Sequence, residues 1–301
     1  MPVIDTESHV VYRLWPIETN PGRSLTEPYT WHALSGDLLV QEMDRAGVDR
    51  AFLIGYDGFD MIPYLDQFGS SPDDVHSGRQ YARFFAQKYP DRFAYFTTLR
   101  DPRAPGALKA LEAETADGVT GIKIFPSYLE IALDHDAMMA VYRLCEERNL
   151  RVIFGLEDTQ PPRTCTFGEY WGQMDRVLEA CPQLLVQFNH AGAAPLPSAE
   201  ADGFFGLVRR WDRVYVSTAF LGLDWPDEWR YPFPEYLSRL KVVYDAIGGE
   251  RLMWGTDWPW LESFAKYPQL IDAVREHADF LSPQEKAAYL GGTAERFLKG
   301  E

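Results

Sequence analysis

Two short stretches near the ends of the chain, Val3-Ile4-Asp5-Thr6-Glu7-Ser8-His9 and Leu252-Met253-Trp254-Gly255-Thr256-Asp257-Trp258-Pro259, decide how the rest is read. Each is a brief apolar strand that runs into side chains of the metal-ligand type. On a strand, residues two apart share a face, so Glu7 and His9 point the same way, with Asp5 behind them. If the first and last strands are neighbours, Glu7, His9 and Asp257 converge. The common single-domain fold that closes its first strand on its last over this length is the (β/α)8 TIM barrel, whose sites sit at the C-terminal strand ends. Both stretches place their carboxylates and imidazole there.

Between them, apolar runs followed by amphipathic stretches repeat eight times, the pattern of a parallel sheet built from βα units. The predicted strands are Pro2-Asp5, Arg50-Ile54, Phe93-Thr97, Gly121-Phe125, Arg151-Phe154, Leu184-Phe188, Arg213-Ser217 and Arg251-Trp254. From the third to the seventh their starts fall about 30 residues apart, the length of one βαβ repeat. Predicted helices are Gly36-Ala46, Asp74-Tyr89, Pro105-Ala116, Asp134-Asn149, Phe167-Cys181, Ala199-Trp211, Pro234-Ile247 and Tyr267-His277. A terminal pair, Ser282-Leu290 and Thr293-Lys299, enters on an N-cap serine with Pro283 at the first helical position. Stretches after strands one, two, five, seven and eight are long and rich in Trp, Tyr, Pro and Gly, whereas those before strands are short. The working face is therefore expected on the long-loop, C-terminal side. No linker or low-complexity segment divides residues 1–301, so one domain is expected.

Composition narrows the partners. The chain is 46% apolar, with 9 Trp, 16 Tyr and 18 Phe, enough for a large core. It has no run of about 18 apolar residues that would suggest a membrane span. A formal charge of -16 opposes binding to nucleic acid or an anionic membrane, both of which need clustered Lys and Arg. Small-molecule substrates are expected. The three cysteines, Cys145, Cys165 and Cys181, have no ligand spacing, and their odd number suits a reducing compartment. The opening Met-Pro-Val-Ile-Asp lacks the features of a signal peptide, and a cytoplasmic location is expected by default. Aromatic loops that look exposed leave a homo-oligomer open.

Six motifs carry a family resemblance across the whole length. They are Ile4-Asp-Thr-Glu-Ser-His9, Gly36-Asp-Leu-Leu-Val-Gln-Glu-Met-Asp-Arg-Ala-Gly-Val-Asp-Arg50, Gly121-Ile-Lys-Ile-Phe-Pro126, Asn189-His-Ala-Gly192, Trp254-Gly-Thr-Asp-Trp-Pro259 and Gly292-Thr-Ala-Glu-Arg-Phe-Leu298. In this order the chain resembles the amidohydrolase-related barrels, the branch that includes metal-dependent hydrolases and aminocarboxymuconate-semialdehyde decarboxylase-like enzymes. The resemblance implies one divalent metal, zinc or else manganese, held by the strand-one pair, a histidine after strand five and the strand-eight aspartate. Here those are Glu7, His9 and Asp257, with Glu7-x-His9 in the form also seen in the decarboxylase branch. At strand five the chain departs: Gly155 stands where a histidine ligand is expected.

Read as chemistry, Glu7, His9 and Asp257 supply two carboxylate oxygens and an imidazole nitrogen, a mixed set suited to a catalytic metal. Asp257 also has the character of a general base. His190, beside a predicted strand end, is read as ligand, proton donor or electrophile, and Glu157, two residues past Gly155, as a replacement ligand. Lys123, mid-strand, is expected to bind a substrate carboxylate or to pair with Glu7 or Asp257. Arg100 is a second anion clamp. Trp15, Tyr56, Trp171, Phe220, Trp225, Trp258 and Trp260 are expected on the mouth loops, with Trp258 in the substrate site. His32, His76, His135 and His277 are read as structural or surface groups, with His135 at a helix start. Three functions follow: hydrolysis of an ester, lactone or amide bond in a small cyclic or aromatic substrate, non-oxidative decarboxylation, or a metal-free lactonase or binding barrel.

Overall fold

The first strand, β1, covers Ile4–His9, running past its predicted end at Asp5 so that Glu7 and His9 lie within the sheet itself. The computed structural model describes residues 1–10, 34–55, 78–116, 118–155, 165–219, 221, 230–263 and 265–301. The remaining strands are β2 Arg50–Gly55, β3 Phe93–Thr98, β4 Gly121–Ile124, β5 Arg151–Phe154, β6 Val186–Phe188, β7 Val214–Ser217 and β8 Leu252–Met253. They pair in sequence order, all parallel. The last strand then meets the first. Thr6 N donates to Trp254 O at 3.0 Å, Asp257 N to Glu7 O at 2.9 Å and His9 N to Trp258 O at 2.7 Å, and Ser8 bridges Trp258 in parallel register. That seam closes a (β/α)8 barrel.

One irregularity in β1 determines which way its acids point. Asp5 pairs with Ala51 and Ser8 with Leu53, so β1 carries one residue more than β2 between these partners. Ile4 packs inside the barrel with Phe52, Phe96 and Met253. Strict alternation from Ile4 would send Asp5, Glu7 and His9 together to the outer face. The extra residue resets the alternation. Asp5 stays outward, facing Tyr267, while Glu7 and His9 consequently turn in.

Helices fill the intervals: α1 Gly36–Ala46, α2 Arg79–Lys88, α3 Ala107–Glu114, α4 Pro126–Leu129, α5 Asp136–Glu147, α6 Phe167–Ala180, α7 Ala199–Arg210, α8 Pro234–Ile247 and α9 Tyr267–His277. Caps fix several starts. Ser35, Thr166 and Ser198 each accept a backbone N–H in the first turn, and His135 does so for α5, as expected of a helix start. The single turn α4 has no counterpart in the sequence reading, since four residues carry no readable helical period. The predicted helix Ser282-Leu290 is instead α10 Pro283–Ala287 followed by a wider turn, Ala288–Gly292, and α11 Thr293–Lys299. Gly291 sits against the N-terminal segment, where a β-carbon would lie 1.8 Å from Pro2 O. Only glycine admits that approach.

Apolar packing forms two layers. The barrel interior holds Ile4, Phe52, Phe96, Ile153, Tyr215 and Met253, joined from below by Phe297 of α11. The larger layer lies between barrel and helices. Trp171 belongs there, 5% exposed on α6 and stacked on Phe167 rather than on a mouth loop, because its stretch is helical. Among the described residues no helix is long and apolar enough to cross a membrane.

Candidate active site

Glu7, His9 and Asp257 meet at the C-terminal end of the β1–β8 seam. Each offers one ligand atom, and these atoms lie within 4.8 Å of one another. His9 Nε2 is 3.3 Å from Asp257 Oδ1 and 4.0 Å from Glu7 Oε1. His190, on the turn His190–Gly192 after β6, brings its Nε2 to 4.0 Å from Glu7 Oε2. Lys123, pointing inward from β4, forms a buried ion pair with Glu7 Oε1. Glu7 is therefore the hub, fully buried beneath two imidazoles and an ammonium.

Backbone contacts set the tautomers of both histidines. His9 Nδ1 lies 3.2 Å from Ile54 O, and His190 Nδ1 lies 2.7 Å from Ala219 O. A carbonyl only accepts, so each Nδ1 donates, and in the neutral ring each Nε2 presents a lone pair. Those lone pairs face the Glu7 and Asp257 carboxylates. Lone pair against carboxylate is repulsive unless a proton or a metal ion lies between them. Glu7 Oε2, buried and without a hydrogen-bond partner among the described residues, makes the same demand. These donors fit a divalent cation: two carboxylates, two neutral imidazole nitrogens, and both imidazoles oriented by backbone carbonyls.

The two acids differ in character. Burial works to raise Glu7, yet Lys123 and, when protonated, His190 and His9 outweigh it and hold the carboxyl below its ordinary value. Burial and then the charge of Glu7 push Asp257 up, against the pull of His9 and His190. Asp257 is also the most accessible of the three, its side chain 14% exposed. It is the one suited to exchange a proton with a molecule at the mouth.

Two of these residues have strained backbones. His190 has φ 53° and Asp257 φ 54°, the left-handed region that side chains other than glycine adopt at a cost. Such conformations concentrate at functional sites, and this one is invisible in sequence. Behind the seam, Asp5 accepts from Thr256 N at 2.9 Å, Thr256 Oγ1 at 2.6 Å, Tyr267 OH at 2.9 Å and Glu7 N at 3.1 Å. Burial nevertheless pushes its carboxyl up to about 7. Asp5 thus ties β1 to the Gly255-Thr256-Asp257 turn and to α9. Further in, Gln187 Nε2 donates to Thr6 O at 3.2 Å and to Asn189 Oδ1 at 2.7 Å, a polar layer that sequence reasoning missed.

The other expected residues divide. Lys123 takes the pairing role with Glu7. Trp258 is 2% exposed and belongs to the barrel–helix core, and its carbonyl accepts from His9 N in closing the seam. Its ring, expected at the substrate site, packs among that core's residues. Trp260 comes closer, its ring centroid 6.4 Å from that of His9. Arg100 is exposed just beyond β3. Glu157, Asp158, Trp15, His32, Tyr56, His76, Phe220 and Trp225 lie outside the described residues. Gly155 follows β5, and a β-carbon there would lie 2.7 Å from the Phe125 ring and 3.2 Å from Lys123 Cε. The strand-five ligand position is filled by neighbours.

A closed parallel barrel with imidazoles and carboxylates converging at its C-terminal seam defines an amidohydrolase-type enzyme. A family model described as amidohydrolase matches residues 75–300, most of the chain, and the protein belongs to that family. An L-fucono-1,5-lactonase from Burkholderia multivorans is 33% identical over an alignment of 122 residues that covers 36% of this chain and only 40% of that relative's length. Among solved structures, an amidohydrolase from Burkholderia multivorans with bound zinc is similar with a TM-score of 0.72, at 18% identity over 99% of each chain. A 2,6-dihydroxybenzoate decarboxylase from Rhizobium is similar with a TM-score of 0.63, at 17% identity over 99% of each chain. At these identities the structural likeness speaks for the fold.

Proposed function

We propose that this chain is a metal-dependent hydrolase that opens an ester, lactone or amide bond in a small cyclic or aromatic substrate. The observation that carries this reading is the pairing of Asp257, raised and accessible, with His9 at 3.3 Å beside the buried Glu7. Glu7, His9 and Asp257 would hold a single divalent cation, zinc or manganese. When bound, that cation supplies Lewis acidity for the carbonyl and lowers the pKa of water towards about 7. Asp257 takes the proton of the attacking water, which its raised proton affinity favours. His190, with Nδ1 committed to Ala219 O, is held so that Nε2 faces the reacting centre and, once protonated, donates to the developing oxyanion. Arg100 stands as the clamp for an anionic substrate group.

The partial match to a lactonase supports hydrolysis. The Glu7-x-His9 pair and the likeness to a decarboxylase fold support the second reading, in which a mouth acid protonates carbon as carbon dioxide leaves. A metal-free lactonase or binding barrel is the third. The experiment is a screen of small lactones, aryl esters and hydroxylated aromatic acids in water labelled with oxygen-18, on protein of measured metal content. One labelled oxygen in the product, loss of turnover on chelation and recovery with zinc support the proposal. Carbon dioxide release without label assigns decarboxylation, and full turnover after chelation removes the metal. The chain's negative charge supports small-molecule substrates over nucleic acid or anionic membranes.

A further inference from the structure

Lys123 is a costly residue to have inside a barrel. It is 2% exposed, its ammonium engages Glu7 Oε1, and its Nζ lies 4.6 Å from the centroid of the Phe125 ring. A buried charge of this kind persists only where its partner and its packing are both built in. Gly155 completes the packing: any side chain there meets Phe125 at 2.7 Å and the Lys123 stem at 3.2 Å. The place where a strand-five side chain would enter the site is thus occupied by the Lys123 and Phe125 side chains.

The consequence falls on Glu7. With Oε1 fixed by the ammonium, the carboxylate has one orientation, and its other oxygen, Oε2, is left buried without a hydrogen bond and 4.0 Å from His190 Nε2. Charge points the same way. Glu7 and Asp257 carry two negative charges, Lys123 returns one positive, and an imidazole in its neutral form adds none. One divalent cation takes that sum from −1 to +1, whereas two would take it to +3 in a buried site with no further acid described beside it. A carbamylated Lys123 would set an anion against Glu7, contrary to the ion pair.

We infer that Lys123 is a positioning residue that locks Glu7 for one divalent cation and, with Phe125 and Gly155, closes the position of a second. This rests on the metal-dependent reading above and concerns how this chain shapes that site. Oriented partners of metal ligands typically contribute 10- to 100-fold in affinity, which sets the scale of the effect.

The test is metal binding to the full chain, stripped with chelator, dialysed and titrated with Zn2+ against a chromophoric competitor, with bound metal counted by mass spectrometry. Wild type is expected to take up one equivalent. Lys123→Met, similar in length and without charge, is expected to bind Zn2+ 10- to 100-fold more weakly. Removing a nearby positive charge without any positioning role would instead tighten binding, so unchanged or tighter binding overturns the inference. Gly155→Ala keeps every ligand and Lys123 itself but pushes on Phe125 and the lysine stem. It is expected to weaken binding in the same direction, and it reads the effect if Lys123→Met does not fold. Two equivalents in wild type overturn the single-cation claim. No binding by wild type removes the metal-dependent reading itself, an outcome distinct from wild-type binding with unaffected variants.

Discussion

His9 Nε2 stands 3.3 Å from Asp257 Oδ1, although one residue belongs to the first strand and the other follows the last. Their meeting depends on the barrel seam, since Asp257 N donates to Glu7 O and His9 N to Trp258 O. The site and the closure of the fold are thus one hydrogen-bonded structure. Substitutions of side chains here should divide cleanly from substitutions that disturb the seam.

Asp257→Asn tests that division. Asparagine tolerates the left-handed backbone that Asp257 adopts, and Asp257 joins the seam through its backbone N–H. The fold should survive, with an unchanged circular dichroism spectrum. Loss of the base and of an anionic ligand should lower kcat by about 10²- to 10⁴-fold on any substrate the enzyme turns over. Full activity in the folded variant would remove Asp257 from the chemistry.

Tyr267→Phe probes the support behind the site. Tyr267 is fully buried and donates to Asp5 Oδ2 at 2.9 Å. Without the hydroxyl, the buried Asp5 carboxyl loses one of its four donors and the others remain. The expected destabilisation is about 1–3 kcal/mol, the range for leaving a buried polar group short of a partner. A urea midpoint that falls with an unchanged m-value would confirm it. An unchanged midpoint would mean that water takes the place of the hydroxyl.

Much of this arrangement was legible in the sequence. Apolar runs at βα spacing predicted eight strands in the right order, and the strand-end chemistry of Glu7, His9 and Asp257 predicted their convergence. What was not legible has physical causes. The extra residue in β1 is a local irregularity with no residue signature, yet it is what turns Glu7 and His9 inward while Asp5 stays outward. Trp258 packs into the core where its carbonyl accepts from His9 N, a contact between opposite ends of the chain. Lys123 could be seen as expensive but not assigned to one acid, because β4 and β1 are brought face to face only by closure. The wide turn at Ala288–Gly292 reads as plain helix until Pro2 is placed against Gly291.

The lower end of the barrel depends on Phe297. Its ring is fully buried, 5.1 Å from that of Tyr215 and 6.0 Å from that of Phe52, and the carbonyl of the same residue accepts from Arg151 Nε at 2.8 Å. Phe297→Ala leaves the backbone contact but opens a cavity under the interior layer. A loss of about 3–5 kcal/mol is expected from such a truncation, measurable as a shift in the chemical-denaturation midpoint. A loss well under about 1 kcal/mol would show that α11 does not contribute to the barrel core.

Glu285 should impose a pH dependence on stability that is separate from the site. Its carboxylate closes the capping box of α10, accepting from Ser282 N at 2.8 Å, and also accepts from Tyr244 OH. Those hydrogen bonds with Ser282 and Tyr244 lower its pKa from 4.5 to about 2. A carboxyl whose folded pKa is depressed releases its proton more readily in the folded state, so it stabilises the fold above the unfolded pKa. That contribution is complete above pH 4.5 and declines as the pH falls towards 2. Glu285→Gln should therefore be less stable than wild type at pH 7, with the difference shrinking between pH 4.5 and 2. Salt should reduce the gap at neutral pH, because the group is near the surface and its charge is screened. Urea midpoints of both proteins at pH 7, 5, 4 and 3 measure it. A gap that stays constant across that series would assign the effect to the neutral geometry of the cap rather than to its charge.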